Sequence, residues 1–373
     1  MFSFLNIIIL TVNFFADEEE EEEEESVVED GSVFVSKLKP GYSTSAMVVV
    51  PTVVDNRPVV VSVGENKKLA VWDVRTGQRI FVSKSEHSTD VTSIALYQTS
   101  QKSESILVTG SEDGMAIVWD MTVTAIIGAG EGDVQVSITI DKKFSLADDA
   151  TGELTSVAVG EFQGTAYVVV GGEHGIAVVY NLQTGAKLFA LKGHEDTINS
   201  IAALGKYVVT GSDDCTARVW DALTGKDLFV LEEHDGEVLA VAAYQPVDED
   251  QAPIVVTTGS DHRAIVWELT TGRRMHLLEG VHDDWIRAVA VCGSADGLFG
   301  PLIVTGSDDG IIGLWNLNSG KSVRVIENTH EGYINCLASF VSLDKTIPPV
   351  VLSGSDDGTI GLWKLSRGAL RAF

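Results

Sequence analysis

The sequence predicts an all-β fold, a seven-bladed β-propeller of four-stranded antiparallel blades. Three observations predict it: a repeat of about 47 residues, apolar runs with strand periodicity, and tight turns rich in Gly, Asp and Ser. Most tryptophans lie 47 or 48 residues apart, and a tyrosine divides the one doubled interval. The chain therefore contains seven units, marked by Trp72, Trp119, Tyr180, Trp220, Trp267, Trp315 and Trp363.

Each unit contains four short strands, as the fourth unit shows. An alternating run, RVWD at 218–221, ends at the aromatic mark, and the turn LTG follows it. Upstream lie the turn GSDD, the apolar run KYVVT and, earlier still, the run INSIAAL. The run DLFVLEE after the LTG turn supplies the fourth strand. Short alternating or apolar runs rich in Val and Ile are typical of strands.

A single sheet of this kind has two apolar faces and cannot bury both by itself. Seven sheets arranged radially bury each face against the next sheet and leave only short edges. We therefore expect a ring over 32–373, with its outermost strand supplied by SVFVSKL at 32–38 or, alternatively, by ALRAF at 369–373. The expected blades are roughly 46–81, 87–130, 150–191, 194–232, 234–279, 282–327 and 330–373.

The first 31 residues differ from the rest of the chain. Residues 1–15 are apolar and carry no Lys or Arg, and a membrane span needs about 20 such residues. Eight consecutive glutamates, 18–25, follow, and like charges in a row repel each other and stay solvated. We expect 1–31 to be a disordered extension. The alternatives are a signal peptide at 1–16, a gene-model artefact, or an acidic tail for a basic partner.

The composition excludes several classes of partner. The formal charge is −28, and residues 32–373 alone hold 43 acids against 26 bases. An acidic surface repels phosphate backbones and anionic membranes, so neither nucleic acid nor membrane is an expected partner. The three cysteines lack CxxC spacing, which favours free thiols and an intracellular, cytoplasmic or nuclear location over a disulfide framework or zinc site.

The repeat resembles the WD-repeat family, whose unit of about 40–45 residues has a His near its start and Trp-Asp near its end. The resemblance covers 46 to about 370 and implies a hydrogen-bonded tetrad in each blade. The tetrad joins a His before the first strand, a Ser or Thr on the second, an Asp in the next turn and the Trp on the third. Such a network satisfies a buried indole and a buried imidazole. The matching sets are His87, Thr109, Asp113 and Trp119; His194, Thr210, Asp214 and Trp220; His234, Thr258, Asp261 and Trp267; His282, Thr305, Asp309 and Trp315; and His330, Ser353, Asp357 and Trp363.

The first and third units depart from this pattern. The first keeps Ser62 and Trp72, has Asn66 in place of Asp, and lacks the His. The third has Tyr180 in place of Trp and His174 at the Asp position, and no His precedes its first strand. We expect both units to form blades that are looser than the others.

The recurring His, Asp and Ser or Thr argue for a scaffold rather than an enzyme. Catalysis needs one such site, whereas a set that recurs five times with Trp as its endpoint is structural. No His or Cys pair has zinc-ligand spacing. The GAGEG segment at 128–132 lacks the Lys and the following helix of a phosphate loop, so it is interpreted as a blade connection. No catalytic residue, metal or cofactor is expected.

The resemblance places one candidate binding surface on the top face, which carries the loop entering the first strand and the turn after the second. Strand alternation points residues three and five positions after each His to the rim of the channel, with the intervening residue in the core. The sharpest candidates are Trp285, Arg287 and Tyr333, since these residue types are enriched in binding hot spots. The equivalent positions elsewhere hold Asn335, Thr197, Asn199, Glu237, Leu239, Asp90 and Thr92.

Together these features predict a non-catalytic protein–protein interaction scaffold, a monomeric ring within a complex, that binds other proteins or peptide segments at its faces and channel rim. Two alternatives remain. One is a substrate-recognition subunit of a larger enzyme complex of the ubiquitin-ligase or chromatin type. The other is a propeller enzyme acting at the central channel. A fold of this class hosts unrelated functions and does not identify the partner.

Overall fold

The computed structural model describes residues 33–50, 58–73, 77–98, 104–127, 134–246, 248, 251–293, 300–327, 329–340 and 350–364. Within these residues the fold is all-β, without helices, and forms seven four-stranded antiparallel sheets. The predicted seven-bladed propeller is therefore confirmed. None of the described residues belongs to a helix that could cross a membrane.

Strand bounds follow the repeat. The first blade and the strand that precedes it comprise β1 Val33–Leu38, β2 Thr44–Val50, β3 Val59–Gly64, β4 Ala70–Asp73 and β5 Arg79–Val82. Blades two to four comprise β6 Val91–Gln98, β7 Glu104–Ser111, β8 Met115–Ile127, β9 Val134–Ala147, β10 Leu154–Phe162, β11 Thr165–Gly172, β12 Ile176–Asn181, β13 Lys187–Lys192, β14 Ile198–Leu204, β15 Tyr207–Ser212, β16 Ala217–Asp221 and β17 Asp227–Leu231. Blades five to seven comprise β18 Val238–Tyr244, β19 Ile254–Gly259, β20 Ala264–Glu268, β21 Arg273–Leu278, β22 Ala288–Cys292, β23 Leu302–Gly306, β24 Ile312–Asn316, β25 Ser322–Ile326, β26 Ile334–Phe340, β27 Val350–Ser355 and β28 Ile360–Lys364.

The blades stand side by side around a closed ring. The first strand of each blade contacts the first strand of the next, and β26 of the last blade contacts β2 of the first. Inner strands are apolar on both faces because a neighbouring sheet covers each face; all seven residues of β18 are buried. Outer strands are more exposed, and three of the five residues of β17 are exposed to solvent. The third-strand tryptophans lie in the interior and are at most 5% exposed.

The N-terminal strand closes the ring, which resolves the choice between the two termini. Strand β1 pairs antiparallel with β28, so the last sheet has the order β1-β28-β27-β26. Leu38 at the end of β1 is 1% exposed and packs with Trp72 and Leu352 in the core between the last and first blades. The alternative strand at 369–373 lies outside the described residues, as do 1–31.

The second blade departs from its predicted bounds. Its outer strand, β9, runs from Val134 to Ala147, whereas the expected blade ended near 130. Strands β8 and β9 remain paired from Met115↔Ala147 to Ile127↔Val134, well past the end of β7. The GAGEG segment therefore joins two strands of one blade and does not connect blades; its own residues, 128–132, lie outside the described ones. The prediction failed because the segment after Trp119 continues as a strand where other units turn.

A β-bulge recurs at the start of the inner strand. The register shifts between Val91 and Ser93, between Ile198 and Ser200, and between Ile334 and Cys336, and the same shift is found in the first, third and fifth blades. A bulge leaves one residue of the strand unpaired and turns its side chain away from simple alternation. That residue is the fifth after the His in each His-containing blade concerned, which is one of the two predicted rim positions.

Serine hydroxyls connect neighbouring blades just after the bulge. The backbone N–H of Val157 donates to Oγ of Ser93 at 3.0 Å, that of Ile201 to Ser156 at 2.9 Å, and that of Val241 to Ser200 at 3.1 Å. The three serines are fully buried. A backbone N–H of each inner strand, which forms one edge of its sheet, is thereby satisfied across the blade interface, and these bonds link blades two to five.

The ring closure yields a direct prediction. Deleting residues 1–40 removes β1, exposes the edge of β28 and uncovers the core around Trp72, so we expect the melting temperature to fall by several degrees or more. Deleting only 1–31 keeps β1 and serves as the matched control. Calorimetry or dye-based melting compares the two; equal melting temperatures for both deletions and the full chain would contradict closure by β1.

Candidate functional site

Five blades contain a hydrogen-bonded tetrad whose hub is one buried hydroxyl. In the fourth blade the indole Nε1–H of Trp220 donates to Oγ1 of Thr210 at 2.8 Å, and that hydroxyl donates to Nε2 of His194 at 2.7 Å. His194 Nδ1–H donates to Asp214 at 2.7 Å. The carboxylate only accepts, so it fixes the hydrogen on Nδ1 and leaves Nε2 as the acceptor.

The same geometry recurs in the second, sixth and seventh blades. Indole-to-hydroxyl distances are 2.9, 3.0 and 2.9 Å, hydroxyl-to-imidazole distances are 2.8, 2.7 and 2.7 Å, and imidazole-to-carboxylate distances are 3.2, 3.1 and 3.0 Å. The structure thus brings together the residues of four predicted sets as the sequence groups them.

The fifth blade corrects one predicted residue. Thr257, not Thr258, accepts from Trp267 at 2.9 Å and contacts His234 at 2.8 Å. Thr258 pairs with Ala264 in the ladder, the position that Gly211 takes opposite Ala217 in the fourth blade. The hub lies ten residues before the Trp in every tetrad, so counting back from Trp267 identifies Thr257. The sequence analysis chose Thr258 because it begins the TGS motif, but in this unit the motif lies one residue closer to the Trp than in the others.

The first blade completes its network with a residue that the sequence analysis missed. Trp72 Nε1–H donates to Ser62 Oγ at 2.9 Å, and the hydroxyl of Tyr42 lies 3.2 Å from the same oxygen. Burial raises the pKa of the Tyr42 phenol, and its contacts with Ser62 and Asn66 partly oppose that rise. Tyr42 therefore occupies the position of the imidazole in the other blades. A long polar side chain just before β2 is the only sequence signal for it.

The third blade has no hub. Val170 stands ten residues before Tyr180, so no hydroxyl is available there. The Tyr180 hydroxyl donates instead toward the carbonyl of Ala147 and the carboxylate of Asp148, both at 3.5 Å, and Asp148 also bonds Lys187. The His174 side chain is exposed and forms no hydrogen bond with another described residue. This blade is held by its apolar strands and by an ion pair at its edge.

The tetrad carboxylates are held in the ionised form. Burial alone would raise the pKa of Asp214, but hydrogen bonds from His194, Thr216 and the backbone N–H of Glu195 outweigh burial and lower it. The same balance lowers the pKa of the equivalent carboxyls, Asp113, Asp261, Asp309 and Asp357. Each Asp thus ties its turn to the loop before the inner strand.

The turn that carries the tetrad Asp also fixes the first rim position. The residue before the Asp donates its backbone N–H to the carbonyl of the residue three after the His: Asp213 to Thr197 at 3.0 Å, and Asp308 to Trp285 at 3.0 Å. Asp356 donates in the same way to Tyr333 at 3.2 Å. Glu112 donates in the same way to Asp90 and Ser260 to Glu237, so every tetrad blade presents its first rim residue on a backbone whose carbonyl is bonded to the turn.

Trp285, Arg287 and Tyr333 form one stack on the top face. The Arg287 guanidinium lies 4.8 Å from the ring centroid of Trp285 and 5.8 Å from that of Tyr333. Arg287 also bonds Asp308 at 2.5 Å, and the two side chains are only 13% and 6% exposed. Trp285 and Tyr333 remain 38% and 49% exposed. The guanidinium is thus an internal support, and the two rings are the surface.

The second predicted rim position is directed inward, contrary to expectation. Asn199 bonds Asp213 and the carbonyl of Val238, and Asn335 bonds Asp356 and is 3% exposed. Leu239 is 6% exposed, and Thr92 is 4% exposed and donates to the carbonyl of Leu154. The bulge is the physical reason, because it interrupts the alternation from which these positions were predicted. Thr197, Glu237 and Asp90, at the first rim position, are partly exposed.

Neither a metal site nor a disulfide is found in the part of the chain that the structure describes. No group of three or more His, Cys, Asp or Glu residues there could hold a metal ion. The three cysteines are free, and burial raises the pKa of the Cys292 thiol to about 12.

Adjacent residues in β19 provide a test of the hub assignment. Thr257→Val leaves the indole N–H of Trp267 and Nε2 of His234 without a partner, so we expect the free energy of unfolding to fall by about 2–4 kcal/mol. Thr258 is equally buried, and its hydroxyl has no partner among the described residues. Thr258→Val should therefore be neutral or stabilising by about 1 kcal/mol. Denaturant unfolding measures the stability of both variants. A larger loss of stability in Thr258→Val than in Thr257→Val would show that Thr258 is the hub.

The lowered pKa values predict an acid-induced loss of stability with a defined sign. A carboxyl whose folded pKa lies below its unfolded value, 3.8 for Asp, contributes stability above that pH and loses it as the pH falls further. Unfolding free energy should therefore decline below about pH 4. Asp214→Asn should be less stable than wild type at pH 7 and decline less steeply below pH 4. Parallel declines in the two proteins would contradict this origin.

The comparisons with known proteins agree with the fold. The family model described as WD domain, G-beta repeat matches residues 78–120, 185–221, 274–316 and 320–364. Each match begins at the outer strand of one blade and ends at the third strand of the next. Each unit therefore supplies the outer strand of the blade before it, and the outer strand of the last blade is supplied by β1. The crystal structure of the WD40 beta propeller domain of Doa1 aligns with a TM-score of 0.65 at 17% identity, covering 91% of this chain and 99% of that one. No curated protein matches the sequence. The family model thus identifies four WD40 repeats within this seven-bladed β-propeller.

Proposed function

We propose that this propeller is a non-catalytic scaffold that binds other proteins through its top face. WD40 propellers typically serve as protein-interaction scaffolds, which supports the coarse assignment. The observation that carries the finer one is the stack of Trp285, Arg287 and Tyr333. Two adjacent blades present large aromatic rings to solvent at equivalent positions beside the channel.

The stack has the physical properties of a binding hot spot. Exposed Trp and Tyr contribute apolar area that the fold itself does not bury, and they lose little rotamer entropy on binding. Their backbones are bonded to the turns at Asp308 and Asp356, and Arg287 supports both rings from beneath. A partner would therefore meet a preorganised surface and would not need to order it.

The tetrads do not compete with this interpretation as catalytic sites. Their histidines are 9% exposed or less, and each ring nitrogen is already bonded within the blade. A general base must reach a substrate proton within hydrogen-bond distance, which a buried and fully bonded imidazole does not do. The same set occurs in five blades as part of the fold, and nothing in it singles out one blade.

A second observation favours the related function of a recognition subunit within a larger complex. The outer strands expose apolar side chains around the circumference of the ring, at Ile80, Val82, Leu188, Leu228, Val230, Met275, Leu277 and Val325. These positions lie on the sides of the blades, away from the channel. A propeller could hold one partner on its top face while its side docks against a neighbouring subunit, and a ubiquitin-ligase or chromatin complex is one such setting.

The scaffold proposal is tested with single substitutions. Full-length wild type and Trp285→Ala serve as baits in a pull-down read by mass spectrometry, and each protein captured by wild type is then purified and its affinity measured. We expect Trp285→Ala to keep the wild-type melting temperature and to weaken a top-face partner by about 2 kcal/mol or more. Arg287→Ala is avoided because it leaves the buried Asp308 carboxylate unpaired.

Met275→Ala is the matched control, since Met275 is 47% exposed on the outer strand of the fifth blade. A partner that is weakened by Trp285→Ala and not by Met275→Ala binds the top face. The reverse result would place the partner on the side of the ring. Equal affinity of every purified partner for all three proteins would contradict binding at Trp285 on the top face and at Met275 on the side of the ring.

A further inference from the structure

We propose that the segment recognised by the Trp285–Tyr333 surface is cationic, a stretch of peptide that places a Lys or Arg side chain on these rings at the mouth of the channel. This inference rests on the proposed top-face function and adds the chemical class of the partner.

Both rings remain partly accessible to solvent beside the described residues that contact them. The guanidinium of Arg287 contacts both rings, yet 38% of the surface of Trp285 and 49% of that of Tyr333 remain accessible. A second cation over an aromatic face is attracted by the ring quadrupole, and the attraction grows as the cation is desolvated. Aromatic rings also bind apolar side chains, however. The charges around the rings therefore determine whether a cationic or an apolar side chain is favoured.

Those charges are negative nearly all the way around the rim. We call ten acidic side chains the rim carboxylates: Glu65, Asp90, Glu112, Glu153, Asp196, Asp213, Glu237, Asp284, Asp308 and Asp356. Each one acts electrostatically on another member of the set. Lys67 acts on Glu112, and Arg287, which is already paired with Asp308, acts on Glu237 and Asp308.

The rim carboxylates disfavour one another's charge. Burial raises the pKa of Glu65, and the charges of Asp90 and Asp356 raise it further. Burial also raises the pKa of Glu237, and Asp213 and Asp196 add to the rise while Arg287 opposes it. A bound cation would relieve this repulsion, whereas an acidic segment would increase it. Charge complementarity therefore selects a basic partner over an acidic or neutral one.

The position of the carboxylates beside the rings makes the two features one surface. Asp284 precedes Trp285 and accepts its backbone N–H at 2.9 Å, and Asp356 bonds the Tyr333 carbonyl through its own N–H. Glu237 occupies, in the fifth blade, the position that Trp285 occupies in the sixth. A Lys or Arg side chain lying on Trp285 would thus have carboxylates on both sides.

The test uses the full chain and a random-sequence 12-residue peptide library. Peptides are selected on wild type and in parallel on Trp285→Ala, which separates binding to the aromatic surface from all other binding. We expect the peptides that require Trp285 to be enriched in Lys and Arg. Peptides that require Trp285 without such enrichment would overturn the cationic class and leave the proposed top-face function standing. Recovery of no peptide that requires Trp285 would also overturn it.

Synthetic copies of two recovered peptides, each with a matched version carrying norleucine for Lys or citrulline for Arg, are then titrated by fluorescence anisotropy. We expect the neutral versions to bind at least tenfold more weakly, and Glu237→Gln and Asp196→Asn each to weaken the basic peptides two- to fivefold. Asp141→Asn, which removes an exposed charge from the outer strand of the second blade, is the control and should change nothing. Equal affinity of basic and neutral peptides, or equal loss in all three charge variants, would overturn the proposal.

Discussion

The fold depends on one buried hydroxyl in six of its seven blades; the third blade has Val170 at that position. An indole placed between two sheets needs an acceptor for its N–H, and in the tetrad blades that acceptor is a Thr or Ser ten residues earlier. The hydroxyl accepts from the indole and donates its own hydrogen to Nε2 of a His. The Nδ1–H of that His in turn donates to an Asp carboxylate in a turn. The interior of the sandwich is thereby connected to the top surface of the ring.

This connection explains why the top face has a constant backbone and variable side chains. The Asp fixes its turn, the residue before it bonds the rim carbonyl, and neither bond uses the side chain of the rim residue. Thr197, Glu237, Trp285 and Tyr333 therefore stand on nearly the same scaffold although their side chains differ in size and charge. A rim residue can change without loss of the fold, so the rim is where a partner can be specified.

Most of the fold could be predicted from the sequence because the physical requirements recur. The tryptophan spacing indicates the blades, and the alternation indicates the strands. The failures occur where one unit meets the same requirement differently. Tyr42 reaches the hub of the first blade from another backbone position, and Thr257 serves the fifth although the motif next to it has slipped. The long β8–β9 pairing had no signal in the repeat, since no other unit has it.

The candidate site was predictable in part, and the bulge determines which part. Residues at the first rim position, such as Trp285 and Tyr333, are exposed as strand alternation predicts. The bulged position itself is directed toward the next blade or toward the turn acid, so Asn199 and Asn335 support the rim and do not form it. Arg287 occupies the same position with a longer side chain, and it therefore reaches back under both rings while bonding Asp308. A single cation thus neutralises one rim carboxylate and supports two aromatic rings. The remaining carboxylates still repel one another, and a basic partner that lies on the exposed rings would relieve part of this repulsion.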